Sequence, residues 1–597
     1  MSVLHVPVLV VGGGACGLSA SIFLSDLGVE HLLVERRAGT SDMPRAHYLN
    51  QRTMEIFRQH ALADAVYAEA APPEKVATVR WQTSLAGDRP FDAQTLYVMD
   101  CGGGGGLRAT YEAVSPCATA NLPQIRLEPL LRRHAEERAP GRVRFGHELL
   151  GWSADDRGRI NAEICDRATG ERLAVCCRYL VAADGGKTVG PGAGVRMVGR
   201  DDLPEVVSAY FTADLSPWWD DQALLTWFLN PGSRGVWGSG ALVAAGPEWG
   251  SRCREWVLHL TQAPDAAERL DASTFAERMR ELLGVPRLRP EVHRVSHWRL
   301  EAVVAERYRA GNVFLAGDAA HRHGPNTGLG LNTAVQDAHN LAWKLSAVLA
   351  GRGGEALLDT YDSERRPVGR RNVDWATAAS LNHQRIVAAI GLSPDMSAAE
   401  RTAVFARYLA SAPAEAREAF ASQRVEFQAH DLELGFAYAA GALVPDGTAA
   451  PPRDPEGGRY RPTARPGHRL PHVWLQRGGR RVSTHDLTGA GASFALITGA
   501  EGAAWQEAVR RVRADAGVAI AAAVVSGGAG VPEGVWTDPS GDWARLSGIG
   551  PDGALLVRPD NHVAWRSPGR VDDPGRALAT VLECVLRRRS KDRSYSE

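Results

Sequence analysis

The stretch VLVVGGGACGLSASIFLSDLGVEHLLVER, Val8–Arg36, decides the fold. Its leading aliphatics read as a buried parallel strand over Val8–Val11. The apolar spacing after the glycines reads as a helix over Gly17–Leu27, and the second apolar run as a strand over Glu30–Val34. That is one βαβ unit. Gly12 permits the tight turn, Gly14 lets a pyrophosphate approach the backbone, and Gly17 lets helix and strand pack closely, so a diphosphate would rest on a helix N-terminus. Glu35 follows at the distance where an acid accepts from a ribose hydroxyl. A 2′-phosphate would meet that negative charge, so the unit suits FAD or NAD and not NADP.

The chain as a whole suits a soluble globular enzyme of more than one domain: 597 residues, 44% hydrophobic and 23% charged. A formal net charge of -1 gives no global field for nucleic acid or an anionic membrane. No stretch approaches the ~20 apolar residues of a membrane span. The N-terminus runs straight into the first strand without a signal-peptide pattern, so a cytoplasmic location is expected. The Arg-rich tail from Arg587 to Arg593 reads as a solvated end. The cysteines lack CxxC spacing and no metal-ligand spacing repeats, so reduced structural thiols and no metal site are expected.

The logic of the opening returns in RYRAGNVFLAGDAAHRHGPNTGLGLNTAVQDAHNLAWKLSAVL. A strand, Val313 to Ala316, delivers Gly317 and Asp318. A loop with Pro325, Gly328 and Gly330 follows, and a long amphipathic helix begins near Leu331. Asp318 is placed to accept from a sugar-alcohol hydroxyl, while Gly328 to Asn332 present backbone N–H groups to an electron-rich ring edge. A third element, RYLVAADGGKT, is another strand, leading into Asp184 and Gly185.

GxGxxG with Glu35, the Asp184–Gly185 pair and GDAAHxxxPxxGxGxN together resemble the single-component, FAD-dependent aromatic hydroxylases. PRAHYLNQRTMEIF, SPCATANLPQIRLEPLL and YDSERRPVG are similar to the chlorophenol and phenol monooxygenase branch and to bacterial hydroxylases of natural-product pathways. The family continues its Asp-Gly element as DGxxSxVR, whereas Thr188, Gly190 and Pro191 stand here at the serine, valine and arginine positions. The resemblance implies an α/β fold: a Rossmann-like FAD-binding domain interleaved with an antiparallel-sheet substrate domain, plus a C-terminal thioredoxin-like domain. The cofactor domain is expected over 1–75, 118–200 and 300–390, and the sheet over 76–117 and 201–299. A helical connector over 391–445, a Pro/Gly-rich linker over 446–470 and the last domain over 471–597 complete the division. The glycine run Gly102–Gly106 reads as a flexible surface loop, with a lid as the alternative.

The resemblance also implies the chemistry. FAD is reduced by NADPH or NADH as a transient co-substrate, adds O2 to give a C4a-hydroperoxide, and passes one oxygen to a phenolic or hydroxypyridine-type ring. A Baeyer–Villiger or epoxidising oxygenation shares the same flavin motifs, and a flavin-binding redox scaffold is the distant alternative. Cofactor contacts are expected from Gly12, Gly14, Ala15, Gly17, Glu35, Arg36, Arg45, Gln124, Leu149, Asp184, Asp318, Pro325, Gly328, Gly330, Leu331 and Asn332. Arg45, read as opening the helix RAHYLNQRTMEIF, would clamp the pyrophosphate with its guanidinium. His47, at a position where related phenol hydroxylases carry an acid, is the candidate catalytic base; a structural histidine is the competing reading. His321 and His323 read as structural. The expected partner is a small aromatic substrate, with a homo-oligomer and neither nucleic acid nor membrane.

Overall fold

The computed structural model describes residues 3–588 except 234–238, 262–268, 394, 490, 492 and 528–532. Of the Arg-rich tail Arg587 to Arg593, residues 589–593 lie outside the described residues, whereas Arg587 and Arg588 are tied to the protein rather than solvated, donating to the carbonyls of Gly441 at 2.9 Å and Arg352 at 2.6 Å. Val3–Val11 is the central strand of the first sheet, with His31–Glu35 parallel on one side and Arg172–Ala182 parallel on the other. Val313–Leu315 extends the parallel order beyond Arg172–Ala182, and Val143–Phe145 extends it beyond His31–Glu35. Strands from well-separated parts of the chain thus build one layer. The helix Ala15–Asp26 is buried at every residue from Ala15 to Leu24, because the sheet, the helix Leu329–Leu349 and the helix Gln124–Arg138 enclose it. A helix apolar on all sides requires such a position.

The second sheet has seven strands in the order Glu291–Arg299, Glu205–Thr212, Glu255–Thr261, Ser239–Gly246, Ala223–Leu229, Thr78–Gln82 and Thr95–Asp100. One pairing departs from the antiparallel expectation: Thr78–Gln82 runs parallel to Ala223–Leu229. The two strands come from separate segments, so no hairpin turn imposes an antiparallel direction. One face of this sheet packs Phe211, Trp256, Leu258 and Leu242 against Phe275, Met279 and Leu282 of the helix Ala272–Leu283. The other face meets the first layer through two ion pairs. Arg126 donates to Glu255 at 2.7 Å, and Arg294 pairs with Asp42.

In the last part of the chain, Phe494–Thr498 runs parallel to Ile520–Ser526 and antiparallel to Ala554–Val557, which pairs with Val563–Ser567. With the helices Ala503–Ala516 and Pro574–Val585, this is the thioredoxin-like order. Residues 446–470 carry neither helix nor strand, yet they are no free tether. Arg469 is fully buried and donates through Nε to Oε2 of Glu55 at 2.9 Å, on the helix Gln51–Gln59. Among the described residues no helix is long and apolar enough to cross a membrane.

A second buried network ties the thioredoxin-like part to the first layer. Arg558, in the turn after Ala554–Val557, donates to both carboxylate oxygens of Glu364 at 2.8 Å. Lys344 reaches the same carboxylate at 2.8 Å, and all three side chains are fully buried. Burial alone would raise the Glu364 pKa, but Arg558 and Lys344 outweigh it and hold the group down at about 2. Burial lowers the Lys344 ammonium to about 8, against the pull of Glu364. Removing the shared anion strands the buried Lys344 ammonium and leaves Arg558 with Asp560 alone, which costs ~3–5 kcal/mol. Glu364→Ala should therefore lose that much in denaturant unfolding. A loss below about 1 kcal/mol would show that the network is not what joins the two parts.

Candidate active site

The three glycine-bearing turns converge on one place. A Cβ built on Gly12, whose φ is +112°, would lie 2.2 Å from the carbonyl oxygen of Ala183. One on Gly17 would lie 1.9 Å from the carbonyl oxygen of Gly12. These contacts bind the first turn to the Asp184 turn and leave no room for a side chain. Gly317 in turn abuts Cys16, and Gly186 abuts the backbone of Asp318. Gly14 differs: the nearest atom to its built Cβ is Oε1 of Glu128 at 3.5 Å, so the backbone stands open there. Ala15, the next residue, donates its N–H to that same oxygen at 3.2 Å.

Glu35 ends the strand His31–Glu35 and accepts from the N–H of Gly13 at 2.8 Å and of Arg37 at 2.9 Å, which folds it back over the first turn. Asp184 uses its carboxylate on its own loop, accepting from the N–H groups of Gly186, Thr188 and Val189 at 2.8–3.0 Å. Those bonds hold the start of the short helix Val189–Gly192, which contains Gly190 and Pro191. Asp318 lies exposed in a single 3-10 turn, Gly317–Ala319. Arg36 and Arg45 are exposed, and neither guanidinium makes an ion pair among the described residues. Leu149 is 7% exposed within the apolar core, away from any polar role for its side chain.

The long helix starts at Leu329, two residues before the expected Leu331, which sits partly buried in its first turn. Its N-cap is Gly328, preceded by the 3-10 turn Asn326–Gly328 on Pro325, and no side chain caps it. The helix Ala15–Asp26 likewise has a glycine N-cap without a side-chain cap. Glu128 takes the Ala15 N–H, but the remaining first-turn N–H groups of these two helix ends are the donor set an anionic diphosphate and an electron-rich ring edge require. Thr327 holds φ at +71°, a strained value for a residue with a β-branched side chain.

The segment after Met43 corrects the sequence expectation. Arg45, Ala46 and His47 lie in neither helix nor strand, Tyr48–Leu49 is a short strand, and the helix is Gln51–Gln59, capped by Asn50 through a 3.0 Å bond from Thr53 N–H. The cause is a distant pairing. Tyr48 and Leu49 pair with Asn121 and Ala120, while the N–H groups of Leu122 and Gln124 donate to the carbonyls of His47 and Ala46, each at 2.8 Å. Gln124 thereby opens the helix Gln124–Arg138 directly beside His47. Asn332 ties the segment to the long helix: its side chain accepts from Asn50 N–H at 3.0 Å and donates to the carbonyls of Tyr48 and Gly328 at 2.9 and 2.6 Å. That amide is spent on the protein, leaving its backbone N–H and that of Gly330 for other work. Gly330 has open space above it, with only the tip of His323 4.0 Å away.

The matches to known proteins fall on this same frame. The model of the FAD binding domain matches residues 5–376, and that of the aromatic-ring hydroxylase C-terminal region matches 463–588. The chain belongs to the FAD-dependent aromatic-ring hydroxylases. This hydroxylase is 33% identical to phenol 2-monooxygenase of Pseudomonas sp. (strain EST1001), over 97% of this chain and 93% of that one. It is 35% identical to 2,4-dichlorophenol 6-monooxygenase of Delftia acidovorans, over 98% and 99%. The crystal structure of the flavin-dependent monooxygenase PieE, in complex with FAD and substrate, superposes with a TM-score of 0.89 at 39% identity, over 98% of this chain and 100% of that one.

Several residues of the hydroxylase's site were not legible as site residues. Glu128 is a buried acid behind the first turn, accepting from Ala15 and Ser41 N–H and from Gln124 Nε2 at 2.5 Å; burial raises its pKa against those bonds. Its signal was an acid one helical turn after Gln124, among leucines. Asn121 accepts from His47, and Asp337 and Arg365 lock His321 from behind, the imidazole lying 2.8 Å from Asp337. Both histidines of the GDAAHRH run are held by the protein, His323 through the carbonyl of Gly324 at 2.7 Å. Glu433 lies under Tyr48, whose hydroxyl donates to it at 3.3 Å, and burial pushes its carboxyl up to about 8.

The spaces around two glycines set opposite outcomes. Gly17→Ala should fail to fold or lose several kcal/mol, because its methyl must displace backbone. Gly14→Ala should melt within a few degrees of the parent yet bind FAD more weakly, read as flavin absorbance per chain after gel filtration. Full flavin content in Gly14→Ala would remove this turn from the cofactor site.

Proposed function

We propose that the chain hydroxylates a phenolic or hydroxypyridine-type ring held between the second sheet and the segment Arg45–Tyr48, with His47 taking the proton of the substrate hydroxyl. FAD, reduced by NADPH or NADH as a transient co-substrate, supplies the activation of O2. The domain division is that of the sequence: a cofactor domain over 1–75, 118–200 and 300–390, a substrate sheet over 76–117 and 201–299, and a thioredoxin-like domain from 471. Arg45 brings an unpaired guanidinium to the diphosphate, Glu35 accepts from the adenosine ribose, and Asp318 accepts from the ribityl chain. The uncapped helix end at Leu329 and Gly330 faces the electron-rich edge of the flavin ring. We further place the enzyme in the cytoplasm as a homo-oligomer, in keeping with its reduced cysteines.

One observation carries the base assignment. Nδ1 of His47 lies 2.6 Å from Oδ1 of Asn121, an oxygen that only accepts, so Nδ1 carries the proton and Nε2 offers its lone pair. Burial lowers the His47 pKa below 6.5, while the bond to Asn121 opposes the shift. The imidazole is thus neutral, and a competent base, at neutral pH. A phenol that loses its proton becomes more electron-rich, which is the property an oxygen-transfer step to the ring demands. Asn121 orients the ring without competing for the lone pair.

Two results test this reading. His47→Ala should keep FAD, lose ~10²–10⁴-fold in hydroxylation and divert NAD(P)H consumption to hydrogen peroxide. Hydroxylation by the variant at close to the parent rate at pH 7 would overturn the assignment. The pH profile follows from the sign of the shift. Because the folded pKa lies below 6.5, the neutral base persists into mildly acidic solution and activity declines only as pH falls below that value. An acid limb above pH 6.5 would contradict the assignment.

A further inference from the structure

On the wall opposite His47, the strand Glu255–Thr261 alternates strictly. Trp256, Leu258 and Leu260 enter the apolar core against the helix Ala272–Leu283, so Glu255, Val257 and His259 point the other way. Direct contacts show where that face looks. Glu255 holds Arg126, two residues beyond Gln124, and Arg294 on the same face holds Asp42, three residues before Arg45. His259 therefore faces the layer that carries His47. The two imidazoles are close enough that a charge on His47 helps lower the pKa of His259, after burial, to about 4.

His259 sits in a polar group on an otherwise apolar stretch of sheet, beside Ala241 and Val257. Trp298 Nε1 donates to Ser208 Oγ at 2.9 Å, and Ser208 Oγ lies 2.7 Å from Nδ1 of His259. An indole N–H only donates, so the serine accepts from Trp298; among the described residues the one acceptor within reach of its own hydrogen is Nδ1, so the arrangement that satisfies the hydroxyl gives that hydrogen to Nδ1. That fixes the tautomer of a neutral imidazole: Nε2 carries the proton. Nε2 makes no hydrogen bond to the protein among the described residues, and the residue retains part of its surface. His31, by contrast, spends both nitrogens, on Ser21 and Val29. Facing it, His47 offers an acceptor.

We propose that His259 is the second polar contact of the substrate. Its Nε2–H donates to an oxygen that His47 does not hold, so the site selects aromatic rings carrying an ionisable hydroxyl together with a second oxygen acceptor, a hydroxyl, carbonyl or quinone oxygen, over monofunctional phenols. The inference rests on the reading of His47 as the base and extends it from phenols in general to dioxygenated ring systems. Ser208 and Trp298 are positioning residues, which set the tautomer and touch no substrate. A buried donor built for an oxygen penalises a ligand that lacks one, since the donor is then left unpaired.

The test uses the FAD-loaded enzyme and three probes: 1-naphthol, 1,8-dihydroxynaphthalene and 8-hydroxy-1-tetralone. Binding is followed by perturbation of the flavin spectrum, and turnover by product formed per NADPH consumed. The parent should bind the two dioxygenated probes ~10-fold or more tighter than 1-naphthol. His259→Phe should erase that preference, weakening the dioxygenated probes about tenfold and 1-naphthol less than about twofold, with FAD content unchanged. His259→Gln, which keeps an N–H donor, should retain most of the preference, and Ser208→Ala should reduce it. Equal binding of both classes by the parent, or equal weakening of both by His259→Phe, overturns the role of His259. Loss of turnover on every probe with the binding preference intact overturns the reading of the reaction and leaves the contact standing.

Discussion

The Asp337 carboxylate is the point on which the site hangs. Fully buried in the helix Leu329–Leu349, it accepts from Gly317 N–H at 3.2 Å and Arg365 Nε at 2.8 Å, and lies 2.8 Å from His321 Nε2. Burial would raise its pKa, but Arg365 and His321 overcome that cost and hold it lowered. Through this one group the strand Val313–Leu315, the turn bearing Asp318, the start of the long helix and the helix Asp359–Ile390 are fixed relative to one another. Arg365 also reaches the carbonyl of Thr333, one turn into the long helix, so the exposed helix end at Gly328–Gly330 is braced from behind. A donor array that must face developing negative charge is useful only if it does not reorganise, and a buried ionic brace supplies that rigidity.

The same device recurs where the thioredoxin-like part meets the rest. Glu364 receives Lys344 and Arg558, and Glu55 receives Arg469. Both acids lie on helices of the cofactor layer, and both arginines come from beyond residue 446. Two buried carboxylates thus convert a chain of separate segments into one body. This part of the chain has no CxxC, and its visible work is mechanical: it closes the back of the helices that carry Asn332, Asp337 and the Arg45–Tyr48 segment.

The sequence showed the cofactor frame because its signals are local. Gly12 and Gly17 are needed by backbone contacts within one βαβ unit, and the run from Gly317 to Asn332 is a strand, a turn and a helix start in one sentence of sequence. The frame failed where a distant pairing decided local structure. RAHYL reads as the opening of a helix by its neighbours, but pairing with Asn121, 74 residues from His47, keeps it out of the helix. For the same reason Asn121, Ser208 and His259 were invisible as site residues, since each acquires meaning only from a partner on another segment. Glu128, Asp337 and Glu433 left a fainter trace, as acids on apolar helix faces, which need a buried partner to be tolerated at all.

The central claim is that this frame binds FAD in order to place one atom of O2 on an aromatic ring. The most direct measurement supplies the FAD-loaded enzyme with NADPH, a dioxygenated phenol and ¹⁸O2, and follows cofactor oxidation and product mass together. The account predicts that the phenol accelerates NADPH oxidation and that the product gains one ¹⁸O per NADPH consumed. Tight flavin binding with phenol-independent NADPH oxidation, or a product whose new oxygen comes from water, would contradict it.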